Sequence, residues 1–203
     1  SSDVCSSDLG IKMAVSYMRV NGNKISTHIA FYNFGSAGQM ELNNQVGELN
    51  VDDVLAPQIF FCDNSTAVAV RTDGFTVFSG SQSPKEKKTV KFDQEIISTF
   101  HDGNRIGFVF DGGDSGHKYL MKVYNTGGKN TMQKYFDLQY NSITLQKDKI
   151  VLFNEKEFAI YKLNGQKTFQ GKYRKPIQNV LSIRGFRKYM VITEDSADLI
   201  RLG

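Results

Sequence analysis

The chain has 203 residues and a formal net charge of +4, with 15 Phe and 9 Tyr but no Trp, 3 Pro and 18 Gly. Those proportions exclude collagen-like and proline-rich disordered chains. Two cysteines are too few for a disulfide scaffold, and no apolar run approaches the roughly 18–20 residues of a membrane-spanning helix.

The chain opens on SSDVCSSDL, Ser1–Leu9, a polar stretch without strand or helix period. It lacks the basic start and apolar centre of a signal peptide. It resembles translated adapter sequence, so residues 1–10 are set aside as a non-native or disordered head. Without it Cys62 is the only thiol, and loss of Asp3 and Asp8 raises the net charge from +4 to +6. The strand-like sequence then starts abruptly at Ile11, as it would in a truncated gene product.

From there a phrase recurs, apolar residues and an aromatic followed by a turn. It occurs at Ile29–Gly35, Phe75–Gly80, Met121–Gly127 and Phe158–Gly165, with a degraded copy at Asp198–Gly203. Aligning Tyr32, Phe78, Tyr124, Tyr161 and Ile200 gives spacings of 46, 46, 37 and 39 residues. Their average falls in the window of four-stranded propeller blades, about 40–50 residues.

Before each copy lies a nearly continuous apolar run: Met13–Tyr17, Ala67–Val70, Ile106–Phe110, Ile150–Phe153 and Tyr189–Ile192. Such runs predict strands covered on both faces. Polar turns join four of them to earlier strands at Ile59–Phe61, Ile97–Phe100, Ile143–Leu145 and Val180–Ile183. Lysine-bearing stretches at Val90–Phe92, Met132–Phe136 and Lys167–Phe169 predict exposed fourth strands. Lys85, Lys87 and Lys88 read as a charged loop before one of them. Residues 93–100 and 194–202 allow helical spacing, but the repeat register assigns them to strands and turns.

The predicted fold is therefore an all-β propeller of four-stranded antiparallel blades. About five blades are expected, near residues 11–49, 57–93, 96–137, 140–173 and 179–203. The first lacks its first strand and the fifth its last, and one to three more blades are expected before Ile11. A two-sheet sandwich of similar strand count is the alternative. The absence of Trp excludes a Trp-Asp repeat signature.

Three stretches carry a family resemblance: MAVSYMRVNGNKISTHIAFYNFGSAGQ (13–39), NSTAVAVRTDGFTVFSGSQSPKEK (64–87) and KIVLFNEKEFAIYKLNGQKTFQG (149–171). They resemble an uncharacterised domain-of-unknown-function family of propeller-like proteins from Gram-positive bacteria. The resemblance extends over residues 11–203. It implies an extracytoplasmic domain tethered behind one N-terminal transmembrane helix, and it lends no catalytic residues.

Sites of chemistry are sparse. Gly113-Asp114-Ser115-Gly116-His117 resembles a serine-protease loop, but a nucleophilic serine needs a positioned base and carboxylate, and neither His28 nor His101 has the expected context. The segment reads as a turn. Asp111, Asp114 and Ser115 lack the closing acid of a calcium loop. His28, His101, His117 and Cys62 show no paired zinc spacing, and Cys62 reads as a small buried hydrophobe. No phosphate-binding glycine loop is present, so no cofactor is implied. The carboxylate pairs Asp52-Asp53, Glu155 with Glu157, and Glu194-Asp195 keep glycoside hydrolysis open.

The most distinctive surface feature is basic: Lys172, Arg174, Lys175, Arg184, Arg187 and Lys188, with no acid between Lys172 and Lys188. Tyr173, Phe186 and Tyr189 interleave with it. The run suits solvated loops or contact with an anionic surface, with its charges at the two ends of one strand. It is a thin footprint for nucleic acid. The sequence thus predicts a non-catalytic binding or scaffold domain at the cell envelope, its partner a protein or envelope polymer. The alternative is a carbohydrate-active propeller hydrolase or lyase.

Overall fold

A computed structural model describes residues 2–22, 24–35, 44–183 and 187–202. Sheet 1 contains β1 (Ser2–Leu9), β2 (Lys12–Asn21), β3 (Lys24–Asn33) and β4 (Gln45–Asp52). Sheet 2 contains β5 (Gln58–Asp63), β6 (Thr66–Arg71), β7 (Gly74–Ser79) and β8 (Lys85–Lys91). In sheet 3 they are β9 (Ser98–Asp102), β10 (Arg105–Asp111), β11 (Tyr119–Asn125) and β12 (Asn130–Phe136). Sheet 4 follows with β13 (Ser142–Gln146), β14 (Lys149–Phe153), β15 (Glu157–Lys162) and β16 (Lys167–Lys172). Sheet 5 has three described strands, β17 (Asn179–Ser182), β18 (Lys188–Ile192) and β19 (Ala197–Arg201). Every pairing is antiparallel and between consecutive strands, so each sheet is a meander, as the repeat predicts. Among the described residues no helix is long and apolar enough to cross a membrane.

The chain divides into two compact units, Ser1–Ile96 with Thr126–Gly128, and Ile97–Asn125 with Lys129–Gly203. In the first, Ala14, Ile29 and Phe31 of sheet 1 pack with Ile59, Ala69 and Phe78 of sheet 2. In the second, β14 shows why its sequence is apolar without alternation. Successive side chains of a strand point to opposite faces. Ile150 and Leu152 enter the core shared with sheet 3, beside Phe136 and Met121. Val151 and Phe153 enter the core shared with sheet 5, beside Val180 and Val191. Both faces are covered.

The four complete sheets share one irregularity. The ladder between third and fourth strands shifts register at Phe31/Tyr32, Val77/Phe78, Val123/Tyr124 and Ile160/Tyr161. The second residue of each pair is the aromatic that marks the sequence repeat. Each shift is a bulge with one extra residue on the fourth strand: Val46, Lys87, Thr131 or Thr168. In sheets 3 and 4 that residue is a threonine whose hydroxyl donates to the third strand. Thr131 reaches the Val123 carbonyl and Thr168 the Ile160 carbonyl, each at 3.1 Å.

Two expectations are corrected. Ser2–Leu9 is not a disordered head, because β1 pairs with β2 from Ser2↔Met18 to Leu9↔Lys12, and sheet 1 has its first strand. Strand pairing uses backbone N–H and C=O groups, which a polar run supplies as well as an apolar one. Gly10, at φ +63°, closes the two-residue turn. Lys85, Lys87 and Lys88 belong to β8 rather than to a loop. An outer strand leaves one face in water, where lysines are at home.

Candidate functional site

Sheets 3–5 have two distinguishable ends. At the entry end each first strand begins, the second turns into the third, and the fourth leaves for the next sheet. At the far end lie the first-to-second and third-to-fourth turns.

The structure divides the predicted basic cluster between these ends. Lys172 closes β16, and Arg174 and Lys175 follow it, at the entry end. Lys188 opens β18 at the far end, and Arg187 precedes it in the turn. Arg184, like Phe186, lies outside the described residues.

Two entry-end cations are neutralised. The Lys175 ammonium reaches both Asp195 carboxylate oxygens at 3.0 Å, and Thr193 donates to the same carboxylate at 3.0 Å. Arg174 lies 3.5 Å from Asp198, which also accepts a hydrogen bond from the Tyr173 hydroxyl. The Lys175 bond, then that of Thr193, holds Asp195 below the ordinary carboxylate range. Tyr173, then Arg174, does the same for Asp198. Lys172 lines an open hollow of about 550 Å³ with Tyr119, Gln139, Tyr140, Asn141 and Glu157. Tyr140 stands edge-on to Tyr119 at 5.4 Å and donates to the Ser98 hydroxyl at 2.8 Å. A second hollow of about 510 Å³ continues past Glu157 to Tyr135, Asp137 and His117.

The serine-protease-like loop is a turn. Gly113–Ser115 forms one 3-10 turn, and Asp111 accepts the Gly113 N–H at 2.7 Å. His117 and Asp137 do form the base–carboxylate half of a triad, Nδ1 to Oδ2 at 2.8 Å, with the imidazole stacked on Tyr135. That bond holds Asp137 below its usual range. The Ser115 hydroxyl, however, accepts the His117 backbone N–H at 3.2 Å and makes no bond to the ring. Ser115 is therefore not presented to the base as a nucleophile.

The carboxylate pairs also separate. Asp52 ends β4 in the first unit, whereas Glu155 and Asp195 sit in turns and Glu157 opens β15, all at the entry end of sheets 4 and 5. Asp63, Asp137, Asp195 and Asp198 are all held below the ordinary carboxylate range, and so are more acidic than usual. A glycosidase's general acid needs the opposite shift. Among the described residues no group of three or more His, Cys, Asp or Glu side chains could hold a metal ion.

At the far end a cleft of about 320 Å³ opens between sheets 4 and 5, lined by Asp148, Lys149, Lys162, Lys167, Arg187 and Tyr189 among others. Burial raises the Tyr189 hydroxyl, with Asp148 adding to the shift and Arg187 opposing it.

The model of DUF5711, a family of unknown function, matches residues 3–202. The chain belongs to DUF5711. Among curated proteins none matches it. Solved β-propellers resemble this DUF5711 chain in fold at low identity. Sqt1 from Chaetomium thermophilum superposes with a TM-score of 0.63 at 10% identity over 100% of this chain and 62% of its own. Hsv2 from Kluyveromyces marxianus gives 0.57 at 8% over 98% and 72%. BBS1N in complex with ARL6DN gives 0.54 at 10% over 89% and 58%. The DUF5711 chain thus spans less than two thirds of Sqt1 and of BBS1N. Its fold is a β-propeller fold.

Sequence reasoning missed the His117–Asp137 pair, 20 residues apart, and the partners of Lys175 and Arg174, 20 and 24 residues on. The repeat register held the signal, since the link into a sheet and that sheet's second turn share an end.

Proposed function

We propose that this DUF5711 chain is a non-catalytic binding domain whose contact surface is the entry end of sheets 3 and 4, and whose partner is a protein or a polymer of the cell envelope. The observation that carries this reading is the composition of the two hollows there. Tyr119, Tyr135 and Tyr140 offer flat apolar surface with polar tips, and Gln139, Asn141 and Lys172 offer hydrogen bonds beside them. Aromatic area with adaptable polar groups is what extended polymers and polypeptides dock against. The ion-paired Asp195 and Asp198 nearby argue against proton transfer. Propeller relatives in fold crystallised as BBS1N with ARL6DN, and within the mitotic checkpoint complex, support protein partners as a class. The resemblance to Gram-positive sequences supports an extracytoplasmic position behind a membrane anchor.

Cosedimentation with purified Gram-positive wall and membrane fractions tests the binding, alongside an assay for released sugar ends. Retention without product, weakened by Tyr140→Ala and Lys172→Gln, is the expected result. Product release that Glu157→Gln abolishes would establish the carbohydrate-active alternative, and absence of retention would overturn the binding reading. Protease accessibility of the protein on intact cells tests its location.

A further inference from the structure

The two entry-end hollows of sheets 3 and 4 meet at Gln139 and Glu157, which line both. One side chain ties these shared walls together. The Asn154 carbonyl oxygen accepts the Lys156 and Glu157 backbone N–H groups at 2.8 and 3.0 Å. Its amide group donates to the Gln139 carbonyl. The junction is thus built before a ligand arrives, which lowers the ordering cost of binding.

Glu157 stands half-buried at that junction. Among the described residues its carboxylate makes no hydrogen bond and no ion pair. Lys172 is its direct cross-strand partner, yet the two charges do not pair. Lys134, half-buried in the hollow of about 510 Å³, also lacks an ion pair among the described residues, as does Lys172 in the other. The remaining charges have partners or cancel. Asp137 is held by His117 at 2.8 Å and by the Lys118 N–H at 3.0 Å. Lys167 reaches the Gln170 amide at 2.8 Å. Glu155 and Lys156 are neighbours of opposite sign in one turn. What is left alternates in sign along the groove: Lys134, then Glu157, then Lys172.

A polymer with one sign of charge meets repulsion somewhere on that path. A polyanion is repelled at Glu157, and a polycation at Lys134 and Lys172. An uncharged glycan displaces water from all three groups and pairs with none, which costs free energy. A polypeptide can carry both signs in the required order, and its backbone can hydrogen-bond to Gln139 and Asn141. We infer that the groove binds an extended polypeptide segment, with a lysine or arginine over Glu157 and acidic residues toward Lys134 and Lys172. This rests on the entry-end surface proposed above and selects the protein from its two partner classes. Tyr135 and Tyr140, one in each hollow, cover the aliphatic stems on either side.

Selection of a random heptapeptide phage library on the full chain tests it, with enriched peptides remade and titrated by fluorescence polarisation. The expected consensus has a central lysine or arginine with aspartate or glutamate on both sides. Glu157→Gln should weaken the enriched peptide about tenfold, and Lys85→Gln, in β8 of the other unit, should leave it unchanged. Glu157→Lys should invert the choice, so that a peptide with a central glutamate binds better than the original. Loss of fold cannot produce that inversion. Absence of enrichment, or a consensus that Glu157→Lys leaves unchanged, would overturn the inference. Cosedimentation with wall and membrane fractions separates this failure from that of the surface itself. Retention on protease-stripped fractions with no enriched peptide keeps the entry-end surface, makes its occupant a glycan and overturns the polypeptide. No retention on any fraction together with no enriched peptide overturns both.

Discussion

The guanidinium of Arg71 grips the carboxylate of Asp73 two residues on, Nε to Oδ1 at 2.8 Å and Nη2 to Oδ2 at 2.9 Å. Arg71 is buried at 6% exposure, so this two-pronged contact is what satisfies a charge taken out of water. Its Nη1 leans toward the Thr76 hydroxyl at 3.4 Å, which in turn meets Thr89 at 2.8 Å. The network ties the second, third and fourth strands of sheet 2.

Asp73→Ala should therefore destabilise the first unit by roughly 2–4 kcal/mol, since it leaves a buried cation without its partner. Arg71→Lys should cost less but still measurably, because an ammonium cannot reproduce the planar fork. Urea unfolding curves with unchanged slopes would check both.

Gly107 sits in mid-strand because Phe100, its cross-strand partner, lies over it. A Cβ built at Gly107 would come within 2.1 Å of the Phe100 ring. Gly107→Ala should cost about 1–3 kcal/mol through forced repacking. The double variant with Phe100→Leu should show a non-additive interaction energy in a double-mutant cycle.

The bulge threonines offer an isosteric test. Thr131→Val and Thr168→Val keep shape but remove the hydroxyl bonded to the Val123 or Ile160 carbonyl. Each should cost about 0.5–1.5 kcal/mol. The two bulges lie in different sheets, so the losses should add. Thermal unfolding of the single and double variants reads the effect.

Asp137, Asp195 and Asp198 are all held below the ordinary carboxylate value of 3.8. A carboxylate more acidic in the folded than in the unfolded chain adds stability that is present above the unfolded value. That stability is lost as pH falls through the folded one. These contacts should therefore be intact at pH 5 and fail only below about 3.8. Carbon-13 carboxyl titrations should place all three midpoints under that value, and Lys175→Gln should return Asp195 toward it.

Cys62 lies in β5 where the ladder to β6 shifts register, and burial, then the charge of Asp63, pushes its thiol from 9.0 up to about 12. The thiolate is the reactive form, so its population at pH 8 falls about a thousandfold. In a Cys5→Ser background, disulfide-exchange labelling should be slow in buffer and fast in guanidinium. Asp63→Asn should recover only part of the rate, because burial is the larger cause.

The core strands were legible because their burial is written locally. Ala67–Val70 reads as doubly covered from composition alone, and Tyr32, Phe78, Tyr124 and Tyr161 mark register because each sits at a recurring bulge. Ser2–Leu9 was illegible because its place depends on backbone pairing, which composition does not record. Lys85, Lys87 and Lys88 misled for the converse reason, since solvent on one face permits loop-like residues in a strand. The acid-free interval from Lys172 to Lys188 looked like excess charge. The compensating Asp195 and Asp198 arrive from the next hairpin. The far-end cleft gathers Lys149, Lys162 and Arg187 from three hairpin ends, so no window of sequence contains it.

The recurrence of one bulge in four sheets makes the sheets exchangeable parts. A slip of one residue turns a strand's side chains to the wrong face, yet here each outer strand is offset at the same step relative to its neighbour. A hybrid that joins β11 to the turn and outer strand of sheet 4 just after Tyr124 should keep inward residues inward. A hybrid joined one residue earlier or later should not. Growth or shortening of such a chain by copying whole hairpins would preserve alternation at every junction, whereas a single-residue insertion in an outer strand would scramble it.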